Sequence, residues 1–496
     1  MRCRNAGETP DVNSLSRPLS VLTAALLLAG CASFEGLHRE GRLIDPASLA
    51  SERSLGASLT PAAWPRQDWW NRLGDAQLDA LIQEALQSSP DLQVADARAR
   101  LASAAVLAAD AARQPRLDAN GGVTRSRLSR VDDPLGQGER YSTLRSLSLD
   151  AGYTFDLWGG QRAAWEAAVG QAQASEVDRQ DARLSLASQV ARAYNALGLA
   201  YATQDIAEQD LKRNRDTLQM ARGRVDAGLD SEYQLQQTQS LEAAAEAALT
   251  DARQQVESAR IRLAVLLGKG PDRGDSLPRP RLIAPEAVDL PAQLPAELLG
   301  RRPDLVAARW RVEAADRQIA ASKANFYPNL NLSAAAGSKS LLGDALFGSA
   351  SRFFSIGPAL SLPIFDGGRL RADLAGRDAD YDLAVAQYNQ ILVGALGDIG
   401  ERISRLRALE QQIAQQQRAR DIAEHAYELA LERYSDGIGS YLDALSVQQQ
   451  LLQADRQLTG LHAERVDDAV LLMQALGGGF QPSTPLPASA NTPVQR

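Results

Sequence analysis

The side chains that most often bind metals or act as nucleophiles and general bases are scarce in this chain: 496 residues carry three histidines and two cysteines. His38 lies in a Pro/Ser/Ala-rich stretch, while His425 and His462 stand alone in long helical patterns with no Cys or acidic cluster at metal-ligand spacing. The chain therefore does not read as an enzyme, and no catalytic residue, metal site or cofactor is expected. Cys31 is the one residue whose setting prescribes chemistry. It closes a short apolar run, Leu19 to Gly30, that follows Arg17. Such a run is too short to span a bilayer but suits the h-region of a signal peptide.

Leu28-Ala29-Gly30-Cys31 resembles the lipobox of bacterial lipoproteins. The resemblance implies that residues 1–30 are a cleaved signal peptide and that Cys31 carries diacylglycerol on its thiol and an N-acyl chain on its new amino group. Several acyl chains, at ~0.8 kcal/mol per buried CH₂, make a lasting anchor. Ala32 follows where an Asp would favour inner-membrane retention, which points to the outer membrane. The leader before Arg17 is long and contains Glu8 and Asp11, so the true start falls downstream of Met1 on this reading. With Cys3 removed and Cys31 acylated, the mature chain has no thiol for a disulfide. Residues 31–68, without clear periodicity, read as an extended arm from the anchor to the body.

Composition favours long helices with thin seams. Aromatics are 5%, Met numbers 3, and a net charge of -8 argues against nucleic acid as partner. The four lysines (Lys212, Lys269, Lys323, Lys339) stand against a large excess of scattered arginines, a pattern that reads as codon bias.

The positioning elements show in the periodicity. Asp75 can N-cap a helix carrying Leu78, Leu81, Ile82, Ala85 and Leu86 on one face, and a second helix runs from Asp91 to Arg113. Strands follow at about 116–125 and 142–156, the latter alternating Leu147, Leu149, Ala151, Tyr153 and Phe155 with polar or small residues. After Gly159-Gly160 the pattern turns helical until Val225 and breaks at Asp226-Ala-Gly-Leu-Asp230. A returning helix spans Ser231 to Leu267. At 1.5 Å per residue the first long helix is ~100 Å and the returning one ~55 Å, so the ~35 Å helix before the strands fills the shortfall if stacked end to end.

Everything then recurs. Pro90-Asp-Leu returns at Pro303-Asp-Leu and Pro115 at Pro328, 213 residues later; Phe155-Asp156 returns at Phe365-Asp366 after 210; Arg224, Gly228 and Gly268 return at Arg433, Gly437 and Gly477 after 209. This is an internal duplication. Repeat 1 covers 69–270, a linker 271–295, repeat 2 covers 296–478 with strands at about 329–337 and 353–365, and 479–496 is a flexible tail. Four membrane-length strands cannot close a barrel, since the smallest have about eight. An open edge in lipid leaves backbone groups unsatisfied, so copies of the chain must complete the barrel. The glycines Gly159 and Gly160 let strand become helix, with Phe155 and Trp158 at the lipid interface, and Phe365, Gly367 and Gly368 form the twin junction in the other half.

Trp70-x-x-Leu73-x-Asp75-x-x-Leu78-x-x-Leu81-Ile82, the Phe155-Asp-Leu-Trp-Gly-Gly junction, Arg301-Arg-Pro-Asp-Leu305, Phe326-Tyr-Pro-x-Leu330, Leu362-Pro-Ile-Phe-Asp-Gly-Gly-Arg369 and Arg433-Tyr-x-x-Gly437 together resemble the TolC-type outer-membrane efflux factors. With the lipobox, the chain is most similar to the NodT-like lipoprotein branch that serves resistance-nodulation-division systems. The resemblance implies a fold of α plus membrane β: two tandem repeats, each giving two transmembrane strands and long antiparallel helices. A homotrimer would form a 12-stranded β-barrel on an α-helical periplasmic tunnel.

The resemblance also implies function: a lipid-anchored exit duct in the outer membrane that passes drugs, toxic compounds or metal ions, with a periplasmic adaptor and an inner-membrane resistance-nodulation-division pump as partners. The alternatives are the duct of a type I protein secretion system and a non-conducting envelope lipoprotein. The turns at Arg224 to Ser231 and Arg433 to Leu442 would meet the adaptor and form the closed aperture, with Gly228, Gly437 and Gly439 in them; Gly228 and Gly437 suit a positive φ. Asp443 matches a position of an acidic ring, whereas Ser446 stands where the family commonly has a second acid. Arg433 and Tyr434 would tie helix pairs shut.

Overall fold

The computed structural model describes residues 33–49, 64–127, 129, 141–281, 283, 300–340 and 345–482. Cys31, the signal peptide and most of the linker and tail lie outside them.

The order of elements is α1 (Ala76–Ser88), α2 (Pro90–Ala111), β1 (Arg116–Arg127), β2 (Tyr141–Phe155), α3 (Gly160–Asp226), α4 (Glu232–Leu266), α5 (Pro303–Ala324), β3 (Asn329–Ser340), β4 (Arg352–Ser361), α6 (Arg369–Ser435) and α7 (Tyr441–Ala475). From α2 and α5 onward the two repeats match element for element: α3 and α6 each have 67 residues, α4 and α7 each 35. The fourth strand is shorter than the alternation of 353–365 suggests. It leaves the ladder at Ser361, because Pro363 has no N–H to donate.

The chain divides into two compact units that cut across the repeats. One comprises Met1–Arg42, Leu101–Gln173 and Trp310–Ala386, the other Leu43–Arg100, Ala174–Arg309 and Gln387–Arg496.

The first unit contains the sheet. Its four strands lie in the order β1-β2-β3-β4, all antiparallel, so the two repeats join through β2 and β3 and the edges are β1 and β4. The register is continuous: Leu117 faces Ala151, Ala151 faces Ala334, and Ala334 faces Ile356. Because side chains alternate with period 2, this register collects Leu117, Val123, Leu149, Tyr153, Leu332, Ile356 and Leu360 on one face. The opposite face takes Asp118, Asn120, Ser148, Asp150, Thr154, Asn331 and Ser333. There Asp150 accepts from Asn120 (2.8 Å) and Ser148 (2.7 Å), and Thr154 donates to Asn331 (2.7 Å).

In the second unit, the core is built where α1 meets the long helices. Trp69, Leu78, Ile82, Tyr194, Leu197, Leu263 and Val470 are buried there. Asp75 fixes the entry: one carboxylate oxygen caps Gln77 (2.9 Å) and Leu78 (3.2 Å), and the other accepts the Tyr194 hydroxyl (2.7 Å). The short helices do meet the ends of the returning ones. Ser88 Oγ donates to the Leu267 carbonyl (2.6 Å), and the backbone is so close there that a Cβ on Gly268 would lie 2.6 Å from the Ser88 carbonyl oxygen. Repeat 2 builds the same joint more tightly, with Gly477 at φ 84 facing the Arg301 carbonyl.

Candidate functional site

Two turns in the second unit carry the candidate gate. Each is made the same way from its own repeat. Gly228 (φ 70) and Gly437 (φ 77) take left-handed backbone, and the following residues bond back: Leu229 N–H to the Arg224 carbonyl (2.9 Å) and Ile438 N–H to the Arg433 carbonyl (3.0 Å). This is the Schellman closure of a helix end, and only glycine adopts the required φ without strain. A serine then caps each returning helix. Ser231 exchanges hydrogen bonds with Gln234, and Ser440 with Asp443, as reciprocal capping boxes.

The side chains break this symmetry. Arg224 donates to Asp230 through Nε (2.8 Å) and Nη2 (3.3 Å), and Tyr434 from the other turn donates its hydroxyl to the same carboxylate (2.8 Å). Arg224 also donates to the Tyr434 carbonyl (3.2 Å) and lies 4.7 Å from its ring centroid. Tyr434 is buried and packs against Tyr441 and Ala444. The Arg224 guanidinium holds the Asp230 carboxyl below its ordinary range, and burial first, then Asp230, raise the Tyr434 phenol. Acid and phenol are thus locked in the hydrogen-bonding forms across the neutral range.

The residues expected to tie the aperture are therefore redistributed. Tyr434 ties the two turns, but its partners are Arg224 and Asp230; Arg433 is exposed and has no side-chain ion pair among the described residues. Arg224, in a turn expected to meet an adaptor, has a side chain only 16% exposed and directed into this cluster. Asp443 is exposed and caps α7 through Ser440, Ser446 is exposed one turn on, and Gly439 packs its backbone on Arg433 Cβ. Asp230 escaped the sequence reading. The repeat offset of 209 could have found it, because Val225 and Asp230 align with Tyr434 and Gly439 while the glycines and serines around them are the same.

In the first unit, the strand-to-helix junctions use an aspartate as well as glycine. Asp156 accepts from Gln161 and Arg162 N–H (3.1 and 2.8 Å), and Asp366 from Gly368 and Leu370 N–H (3.0 and 2.8 Å). These bonds satisfy orphan donors at the helix start, which is why Phe-Asp precedes the glycines in both repeats. Gly159, Gly367 and Gly368 all have positive φ. Gly160 differs from expectation: it is helical, and its missing Cβ lets α3 approach Ala324, whose methyl would lie 2.6 Å away. Trp158 stacks on Tyr327 (4.7 Å) and donates to the Pro328 carbonyl (2.8 Å); Phe155 packs edge-on to Tyr153, and Phe365 is fully displayed. Exposed aromatics at one level suit a membrane–water interface.

The arm is docked rather than free. Phe34 packs edge-on against Phe326 (5.5 Å), Arg39 pairs with Asp316 and covers the Tyr381 ring (4.3 Å), and Asp382 accepts from the N–H groups of Glu40 (3.0 Å) and Gly41 (2.6 Å).

A profile of the outer membrane efflux protein family matches residues 81–269 and 294–478. The chain belongs to this family. The fusaric acid resistance protein FusA of Burkholderia cepacia is 37% identical over 377 residues, covering 73% of this chain and 69% of its own. The multidrug resistance outer membrane protein MdtP of Escherichia coli K12 is 32% identical over 480 residues, 94% of this chain and 97% of its own. Among solved structures, outer membrane protein VceC from Vibrio cholerae superposes with a TM-score of 0.77 at 37% identity, covering 84% of this chain and all of that one. The Campylobacter jejuni CmeC outer membrane channel shares the fold, with a TM-score of 0.83 at 23% identity over 90% of this chain and 96% of that one. This efflux protein is thus an outer-membrane channel of the expected class. Its sheet is the barrel segment and its long helices form the periplasmic tunnel wall.

Proposed function

We propose that three copies of the chain close one duct, and that the Arg224–Asp230–Tyr434 cluster is the lock on its periplasmic end. The observation that carries the assembly is the sheet itself: four strands with an apolar face and two unpaired edges, β1 and β4. In lipid each unpaired N–H and C=O on those edges costs several kcal/mol, roughly, so the edges must pair with copies of each other. Twelve strands then make a barrel of ordinary size. α2 supports the same reading, since it leaves Val94, Leu101 and Leu107 exposed for a neighbour to cover.

The duct works passively. An inner-membrane pump of the resistance-nodulation-division type and a periplasmic adaptor would supply energy and cargo, and the adaptor would open the lock by binding the splayed turns better than the closed ones. Small organic toxicants are the proposed cargo, by analogy with the fusaric acid and multidrug resistance relatives. Acyl chains on Cys31 would anchor the duct in the outer membrane. No cofactor enters the cycle. Purified protein in planar bilayers tests the reading: a trimer with low resting conductance that rises in Asp230→Ala is expected. No conducting pore in either protein would overturn the duct.

A further inference from the structure

On the sheet's apolar face, every charge is an arginine and every arginine lies at one end. The register puts Arg125, Arg127, Arg145 and Arg352 on the same side as Leu117, Leu149 and Ile356, and all four are exposed. Arg125 faces Thr143, Arg145 faces both Val123 and Ser340, and Arg352 faces Ser338, at the strand ends away from the helices. The described strands' only acids, Asp118 and Asp150, lie on the opposite, polar face. No carboxylate pairs with these four arginines among the described residues; Arg125 lies 5.1 Å from the centroid of the Tyr141 ring.

An arginine on the lipid side costs ~2–4 kcal/mol at the bilayer midplane and close to nothing at its surface. Four in one band therefore mark headgroup depth. Because the helices leave the opposite end of the sheet, this depth belongs to the outer leaflet. The helix-side end of the same face, with Leu117, Tyr153, Phe155, Leu330 and Leu360, has no basic residue to offer the inner leaflet.

We propose that Arg125, Arg127, Arg145 and Arg352 form a collar that binds the phosphates of an outer-leaflet phosphorylated glycolipid. The inference rests on the barrel reading of the sheet. Guanidinium groups bind phosphate bidentately and are only weakly hydrated, so they suit a wet, apolar-flanked interface. By the register, Arg125 and Arg145 are diagonal neighbours ~7–8 Å apart. Arg145 and Arg352 are separated by one strand, about 10 Å in the pairing direction. A headgroup with two phosphates can thus meet more than one guanidinium.

Native mass spectrometry of the detergent-purified full-length protein tests this, with bisphosphorylated lipid A, enzymatically dephosphorylated lipid A and phosphatidylglycerol as probes. Wild type should retain bisphosphorylated lipid A at least tenfold more tightly than the other two. The triple variant Arg125→Gln, Arg145→Gln, Arg352→Gln should lose that preference, and the triple Lys variant should keep most of it. Equal retention of lipid A by wild type with and without its phosphates, an unaltered preference in the Gln variant, or phosphatidylglycerol bound as tightly as lipid A would each overturn the collar. Bilayer conductance of the same preparation separates the two ideas: a conducting channel without lipid preference refutes the collar alone, whereas a non-conducting protein refutes the duct.

Discussion

Replacing Asp230 by alanine should loosen the closed turns more than any other single change near them. The carboxylate accepts two bonds from Arg224 (2.8 and 3.3 Å) and one from the Tyr434 hydroxyl (2.8 Å), in a site where the Asp230 side chain is 7% and the Arg224 side chain 16% exposed. Hydrogen bonds to charged groups contribute about 1.5–3 kcal/mol each in favourable cases. Both Arg224 bonds lie within the first turn and persist when the turns part, so the closed-to-open ratio loses the Tyr434 bond and leaves that buried hydroxyl without its acceptor: about 2 kcal/mol per chain, roughly thirtyfold. Tyr434→Phe should lose about 1 kcal/mol. Added to Asp230→Ala it should contribute almost nothing, because the two act through one bond. Resting conductance in planar bilayers and uptake of a large antibiotic normally excluded by the outer membrane are the readouts. The pH dependence follows from the same bonds. Asp230 is depressed by Arg224, so its contribution is complete above the unfolded carboxyl value, about 3.9, and is lost as pH falls through its lower folded value. Conductance should therefore be flat from about pH 5 to 9 and rise only in strong acid. Intact trimers whose Asp230→Ala conductance matches wild type would refute the lock.

Three other perturbations follow from the fold. Asp181 is pushed up to about 6, chiefly by burial and then by Asp304, against the opposing pull of Arg302. A raised carboxyl favours the fold only while protonated, a benefit lost as pH rises through about 6. Asp181→Asn should thus raise the melting temperature at pH 7.5, by up to about 3 kcal/mol of stability, and change little at pH 4. Gly477→Ala would force a methyl to within 1.9 Å of the Arg301 carbonyl oxygen at φ 84, so it should lose about 3 kcal/mol or more, seen as a lowered melting temperature. Asp382→Ala removes the acceptor for Glu40 and Gly41 N–H, and limited proteolysis should nick residues 33–49 several-fold faster while the strands and helices resist.

How much was legible in the sequence depends on the range of the contact concerned. Strand faces were readable from alternation alone, because period 2 fixes which residues share a side whatever the strand pairs with. The Asp75 cap and the Gly228 and Gly437 turns were readable because each completes itself within a few residues. The joining of β2 to β3, the seating of Phe34 on Phe326 and the clustering of Asp230 with Tyr434 were not, since they bring together residues 177 to 292 positions apart (Thr154 with Asn331; Phe34 with Phe326). Beside Gly159, Gly160 looks like a turn residue in the sequence. Its actual role, close helix approach, depends on Ala324, which no local pattern names.

The duplication accounts for how the Arg224–Asp230–Tyr434 cluster is divided between the two turns. Both turns keep the glycine, the back-bonded arginine carbonyl and the capping serine, the features a helix reversal needs on its own. What differs is the pair that joins one turn to the other: the acid stands only in the first, where the second has Gly439, and the phenol only in the second, where the first has Val225. The cluster therefore joins the two repeats of one chain through a bond neither turn makes alone, and under the proposed lock a partner that separated the turns would break the Tyr434–Asp230 bond without unfolding either turn. Under the proposed lock, that partner must favour the separated state by about what the inter-turn bond provides, about 2 kcal/mol or thirtyfold in affinity per chain. Binding both states equally, however tightly, would leave the duct closed.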